Sequence, residues 1–307
     1  MLGTREIGGR EPRDPQMGRR MGQLPDAHRN VRSHDRGMTS PSDTSETFQI
    51  PIEAAELYES AFVPAFFAQW APVLCEAAAL APGQKVLDVA CGTGIVARTA
   101  ADLVSPDGRV VGFDLNEAML TVARRAGRGI EWRQGDAAAL PFGDGSFDAV
   151  LSQMALMFLP DRGKALEEMG RVAQSGGTVA VLVPSRLDAQ PAFAPFVTMA
   201  ARHAGPEALS LLSTYFACGD LDELCGLLAS AGLDVSASGT HAGTYRAPSV
   251  DAFVTTEVES TPLVERISAD VYQRIREGAH DVLAPFTAPD GSVAAPFESN
   301  VVVARCP

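Results

Sequence analysis

Lys85-Val86-Leu87-Asp88-Val89-Ala90-Cys91-Gly92-Thr93-Gly94-Ile95 changes character halfway along. Its first half is a short apolar run of strand type carrying one carboxylate, Asp88. Its second half is a turn with paired glycines, and the residues that follow, 95–104, space their apolar side chains as a helix does. Gly92 and Gly94 let the backbone turn sharply and approach a ligand closely. The helix N-terminus behind them favours a carboxylate or phosphate.

Outward from this turn the same alternation repeats. Strand candidates at 85–90, 109–114, 130–134, 147–153 and 178–183 are separated by helix candidates at 95–104, 116–126 and 162–174, with Gly176-Gly177 marking the turn into the fifth strand. Strand–helix–strand units joined by right-handed crossovers predict an α/β protein, a parallel sheet covered by helices on both faces. Such a sheet binds its ligand outside the carboxyl ends of its strands. The unusual residues fall there. Asp114 ends the second strand, where a carboxylate can accept from both ribose hydroxyls. Gly135-Asp136-Ala137 follows the third, and Ser152-Gln153 closes the fourth.

Two cofactor readings meet these residues. Gly92-x-Gly94-x-x-Ala97 satisfies a dinucleotide fingerprint, which makes an NAD(P)-dependent oxidoreductase one alternative. Against it, Asp88 brings a negative charge close to where a pyrophosphate would lie. Asp136 adds a carboxylate suited to an adenine edge, and Leu140-Pro141-Phe142-Gly143-Asp144-Gly145-Ser146-Phe147-Asp148-Ala149-Val150 leads into the fourth strand.

Together these strings resemble the class I methyltransferases that use S-adenosylmethionine (SAM), in the small-molecule group similar to quinone-biosynthesis methyltransferases. The resemblance is strong over 83–184, weaker over 220–235, and extends loosely back to Tyr58. Ala90 departs from the pattern, standing where many members carry the first glycine of the loop. The resemblance implies a Rossmann-like, doubly wound, mostly parallel seven-stranded sheet with an antiparallel last strand. It also implies that Asp88, Ala90, Cys91, Gly92 and Gly94 hold the methionine half of SAM, Asp88 meeting its ammonium. Asp114 takes the ribose, Leu115 and Met119 flank the adenine, and Asp136 and Ala137 meet its edge. Ser152 and Gln153 face the methionine tail, and Tyr58 closes over the cofactor. A protein that binds SAM without catalysing is a further alternative.

The remainder sets the surroundings. The 307 residues carry 46% apolar and 21% charged side chains and a net charge of −13, which argues against a nucleic-acid binder. No apolar run is long enough for a membrane span, and the first 30 residues lack the core of a secretory signal. Five cysteines without a C-x-x-C pair, and no histidine cluster, predict no metal site and a reduced, cytoplasmic protein. Residues 1–47, with eight Arg, seven acids and almost no apolar residue, have the composition of a disordered tail, and Met38 is an alternative start. Residues 48–82 predict a helical cap divided at Pro64, with Pro72 a further break or helix start. Residues 83–186 form the cofactor-binding core and 187–219 a lid insertion. Residues 220–307 complete the core and carry a second helical lid over 248–285. His203, His241 and Tyr215 are the candidate acceptor-side bases, with His280 weaker. Phe193, Phe196 and Phe216 are candidate walls of an acceptor pocket, and Phe62 and Trp70 candidates to close over the cofactor. The partner expected is a small-molecule acceptor, with a homodimer left open.

Overall fold

The computed structural model describes residues 50–259 and 261–307. The tail expected over 1–47 lies outside them. The chain enters through a broken helical cap: α1 (Ile52–Leu57), a π-helical turn Tyr58–Phe62, α2 (Val63–Ala65), a 3-10 turn Phe67–Gln69 and α3 (Trp70–Ala77). The break falls at Phe66, whose φ of −140° leaves the helical region, two residues beyond the expected Pro64. Pro64 sits instead in the first turn of α2, where its missing N–H costs nothing. Pro72 likewise stands in the first turn of α3.

Then the alternation begins: β1 (Lys85–Val89), α4 (Ile95–Val104), β2 (Arg109–Asp114), α5 (Glu117–Ala126), β3 (Glu131–Gln134), β4 (Phe147–Gln153), α6 (Arg162–Val172) and β5 (Ala173–Pro184). Asn116 caps α5, accepting from the amides of Ala118 and Met119, and Asp161 caps α6, accepting from Lys164. One expectation is corrected at the last junction. Residues 173 and 174 already belong to β5, and Gly176-Gly177 lies inside that strand, because the Ala173 amide makes the last helical bond while its ψ of 142° is extended.

The chain continues through α7 (Phe193–Ala204), α8 (Pro206–Ser213), α9 (Leu221–Ser230), β6 (Asp234–Ala247), α10 (Val250–Val254), a π-helical turn Thr255–Glu259, α11 (Leu263–Arg266), α12 (Ala269–Leu283) and β7 (Val293–Arg305). The seven strands lie in the order β3-β2-β1-β4-β5-β7-β6, with β1 to β5 parallel and β7 antiparallel to both β5 and β6. The order reverses between β1 and β4, which opens a crevice at their carboxyl ends.

Strand side chains alternate between two cores. Val86, Val110, Ala149, Leu151, Ala180 and Leu182 face the layer built from α3, α4, α7, α10 and α12. Leu87, Val89, Val150, Val179 and Val181 face α6 and α9. Pro184, the last residue of β5, pairs with Ser299. β7 and β6 therefore run on past the carboxyl edge as a two-stranded ribbon. The lid helices α7 and α10 pack on this ribbon through Tyr245, Ala247, Val293 and Phe297.

Candidate active site

The loop after β1 is built from left-handed backbone. Ala90, Gly92 and Gly94 have φ of 56°, 55° and 87°. A glycine would be relaxed at position 90; alanine there carries the strain of an L-residue in that region. Gly94 is required twice over, since a Cβ on it would stand 2.2 Å from the Trp132 ring. The Asp114 carboxylate ties the loop down. It accepts from the Gly92 amide at 2.8 Å through Oδ2 and from the Asn116 amide at 2.8 Å through Oδ1. The Cys91 amide donates to the Phe113 carbonyl at 3.1 Å.

Asp88 is placed differently from expectation. It is only 1% exposed, and its Oδ2 accepts from the Ala97 amide of α4 at 2.9 Å. Through this oxygen the carboxyl fastens α4 to β1, a role beyond the ammonium contact, direct or through water, expected of it. Burial pushes Asp88 up to about 8 and raises Asp114 as well, against the lowering effect of the amides bonded to each.

The cap closes this corner. A Cβ on Gly92 would come within 3.9 Å of the Tyr58 ring, so Tyr58 stands against the glycine turn. Burial, then the Asp114 charge, raises its phenol far above the ordinary value. Tyr58 stacks with Phe67 at 4.9 Å, and the Gln153 side-chain amide donates to the Phe67 carbonyl at 3.2 Å. Arg98 joins cap to loop, donating to the Thr93 carbonyl at 2.7 Å and pairing with Glu59 at 2.8 Å. Glu59 and Arg98 carried no motif in the sequence; only the fold brings them to Thr93.

Buried polar atoms without a partner gather here. Thr93 Oγ1 lies in the β1 loop, Ser152 Oγ and Gln153 Oε1 at the end of β4, and Glu59 Oε2 in the cap. Unsatisfied buried polar atoms are costly, and their gathering at this crevice marks it as a candidate binding site. Leu115, 41% exposed, and half-buried Met119 lie beside Asp114. Asp136 is exposed and accepts from the Ala138 amide at 2.9 Å, with buried Ala137 beside it.

The acceptor-side candidates separate. Tyr215 reaches the site, its hydroxyl donating to Met154 Sδ at 3.0 Å just beyond β4. His203, in the last turn of α7, and His241, on edge strand β6, are both turned to solvent, and exposed His280 lies 3.6 Å from Asp251. These imidazoles stand outside the cluster, a correction that follows from helix phase and strand face. Phe193 and Phe196 are buried in the lid core among Tyr245, Phe253 and Phe297, whereas Phe216, also largely buried, lines a cavity with Arg186, Ala194, Thr198 and Asp220. Trp70 is equally buried. One group had no signal in the sequence: Glu257, in the π-helical turn after α10, lies near Tyr245, and desolvation raises its carboxyl.

Residues 87–181 match the family model described as a methyltransferase domain. A demethylmenaquinone methyltransferase of Renibacterium salmoninarum is 40% identical over 131 residues, 43% of this chain and 52% of that protein. A 2-phytyl-1,4-naphtoquinone methyltransferase of Synechococcus elongatus is 37% identical over 119 residues, 37% of this chain and 51% of that protein. The chain thus spans about half the length of these curated relatives. Solved structures from Bacillus halodurans (24% identical, TM-score 0.52, 77% of this chain and 98% of that one) and Bacillus subtilis (the YcgJ protein; 19%, 0.51, 77% and 97%) share the fold. The sheet order shared with these structures and the matched segment mark residues 87–181 as similar to methyltransferase domains. Within that class it resembles the quinone-biosynthesis methyltransferases.

Proposed function

We propose that the chain is a SAM-dependent methyltransferase acting on a small-molecule acceptor. The observation that carries this reading is the buried polar and acidic lining of the crevice. Asp88 and Asp114 are both held above the ordinary carboxylate range by burial, and the guanidinium bonded to the glycine turn, that of Arg98, is already paired with Glu59. Such a site favours a ligand bearing ammonium and sulfonium charges, whereas a dinucleotide's pyrophosphate would add two negative charges beside two carboxyls.

SAM, when bound, supplies an already activated methyl group. Asp114 is the residue to hold its ribose, Leu115 and Met119 the residues beside its adenine, with Asp136 and Ala137 at the edge. Thr93, Ser152 and Gln153 offer unpaired polar atoms to its amino-acid end. Tyr58 and Phe67 exclude water from above. The chain's task is alignment and dehydration; well-oriented reactants gain about 7–11 kcal/mol this way. The unbridged state of all five cysteines fits a reducing, cytoplasmic setting.

Calorimetric titration with S-adenosylhomocysteine and with NAD(H) tests the reading. The first should bind and the second should not. Asp114→Ala, which removes the ribose acceptor and frees the Gly92 amide, should weaken S-adenosylhomocysteine at least about tenfold, or 1.4 kcal/mol. NAD(H) binding without S-adenosylhomocysteine binding would instead establish the oxidoreductase.

A further inference from the structure

Two ion pairs tie the cap to the core, and they differ. Arg125 meets Glu56 at 2.6 Å with both side chains more than half exposed, a contact that contributes little. Arg98 meets Glu59 at 2.8 Å with the two side chains only 20% and 24% exposed. This second pair uses half of its carboxylate. Glu59 gives Oε1 to the guanidinium, while its Oε2 is buried with no hydrogen-bond partner among the described residues. The same guanidinium donates to the Thr93 carbonyl at 2.7 Å, so one planar group spans the Glu59 carboxylate and the glycine turn. Thr93 is 1% exposed, and its Oγ1 is buried without a partner as well. Tyr58, the neighbour of Glu59 on the π-helical turn, stands against Gly92. A carboxylate oxygen and a hydroxyl thus meet where the cap closes on the turn. Both are desolvated and unpaired, a penalty that an incoming hydrogen-bond donor removes.

The two aspartates of the crevice are engaged elsewhere. Asp114 accepts from the Gly92 and Asn116 amides, one through each oxygen. Asp88 gives Oδ2 to the Ala97 amide, and burial pushes its carboxyl up to about 8, which leaves it mostly uncharged at neutral pH. An uncharged acid is a weak partner for a cation.

We propose that Glu59 is the counter-charge for the ammonium at the methyl donor's amino-acid end, with Thr93 Oγ1 accepting beside it and Arg98 as the positioning residue that aims the carboxylate. This rests on the methyltransferase reading and assigns a donor-binding residue within it. An ammonium is a donor only, and here two buried acceptors stand unsatisfied. Glu59 is then shared between two cations, Arg98 through Oε1 and the ligand through Oε2. Because Glu59 belongs to the cap, the ligand's own charge fastens the cap over the glycine turn, and Tyr58 with it.

The test is calorimetric titration of the full chain with S-adenosylhomocysteine and with its des-amino analogue, in which hydrogen replaces the ammonium and the carboxylate stays. Wild type should prefer S-adenosylhomocysteine about tenfold or more, as the loss of a charge-assisted hydrogen bond requires. Glu59→Gln keeps a side-chain oxygen for Arg98 and removes the charge. It should weaken S-adenosylhomocysteine about tenfold and leave the analogue within about twofold of wild type. Arg98→Gln keeps a donor for the Thr93 carbonyl and removes the competing cation, so it should widen the wild-type preference about threefold. The variants move the preference in opposite directions, whereas a cap merely loosened would weaken both ligands alike. Equal losses of the two ligands in Glu59→Gln, or a preference that stays or narrows in Arg98→Gln, overturns the proposal. Should Glu59→Gln fail to fold, Arg98→Gln decides alone. Wild-type protein that binds the two ligands equally overturns the proposal and leaves the methyltransferase reading standing. Wild-type protein that binds neither overturns that reading, and the proposal with it.

Discussion

Ala90 stands where the resembling enzymes commonly have glycine, and its φ of 56° explains both facts. The left-handed region costs an L-residue about 1–2 kcal/mol, most of which alanine tolerates and a β-branched residue does not. Ala90→Gly should therefore leave stability within about 0.5 kcal/mol of wild type, since the strain relieved offsets the chain entropy added. Ala90→Val should cost about 2 kcal/mol or more, read by urea unfolding. A stable valine variant would show that the loop relaxes out of this conformation. Asp88 gives a second lesson at the same scale. Its position in the motif was plain from the sequence, but the direction of its carboxyl was not, because one rotamer meets the Ala97 amide and another the crevice.

One of the residues that hold the cap to the sheet is marked by no motif. Gln69 donates to the carbonyls of Phe66 at 2.9 Å and Thr244 at 2.7 Å, and accepts from the Thr244 amide at 2.9 Å. It acts as a short strand-like partner for the free edge of the β6 ribbon. Gly243 lies beneath this clasp, and a Cβ there would stand 2.5 Å from the Trp70 ring and 2.9 Å from Gln69 Oε1. Gly243→Ala should lift the cap, destabilising the protein by about 1–3 kcal/mol through overpacking. It should also weaken S-adenosylhomocysteine, because Tyr58 rides on the cap. Gly239→Ala, in the same strand with nothing within 4 Å of its Cβ, is the control and should stay within about 0.5 kcal/mol. Equal effects from the two substitutions would mean that strand propensity, not the clasp, is being measured.

Across the whole molecule the carboxyls fall into two groups with opposite consequences for pH. Asp88, Asp114 and Glu257 are raised chiefly by burial, to about 8 for Asp88 and about 7 for Glu257. For a raised carboxyl the folded state holds protons that the unfolded chain has lost, so its contribution is full below about pH 4 and disappears as pH climbs through the folded value. Glu168 is lowered by its Arg171 hydrogen bond and Asp251 by its Arg276 hydrogen bond, and these lose their contribution as pH falls. Thermal unfolding should therefore show a maximum near pH 5 and a declining melting temperature toward pH 9. Asp88→Asn, which keeps an acceptor for the Ala97 amide without a charge to desolvate, should flatten that decline. An unchanged slope would mean that Asp88 is already relieved by water. The sequence by itself determined the alternation of strands and helices, the glycine turn and the carboxylates at the strand ends, because these follow from local periodicity and backbone sterics, and with them the resemblance to methyltransferases. Strand 173–184 began earlier than its apolar run, since edge pairing rather than side-chain pattern sets a strand's length. The acceptor side was not legible. Glu257 sits in Thr255-Thr256-Glu257-Val258-Glu259, a string with no distinguishing pattern, and its carboxyl is desolvated only because the fold brings it near Tyr245 of β6, twelve residues earlier in the chain. Burial and the meeting of distant segments are properties of packing, and no single stretch of chain encodes them.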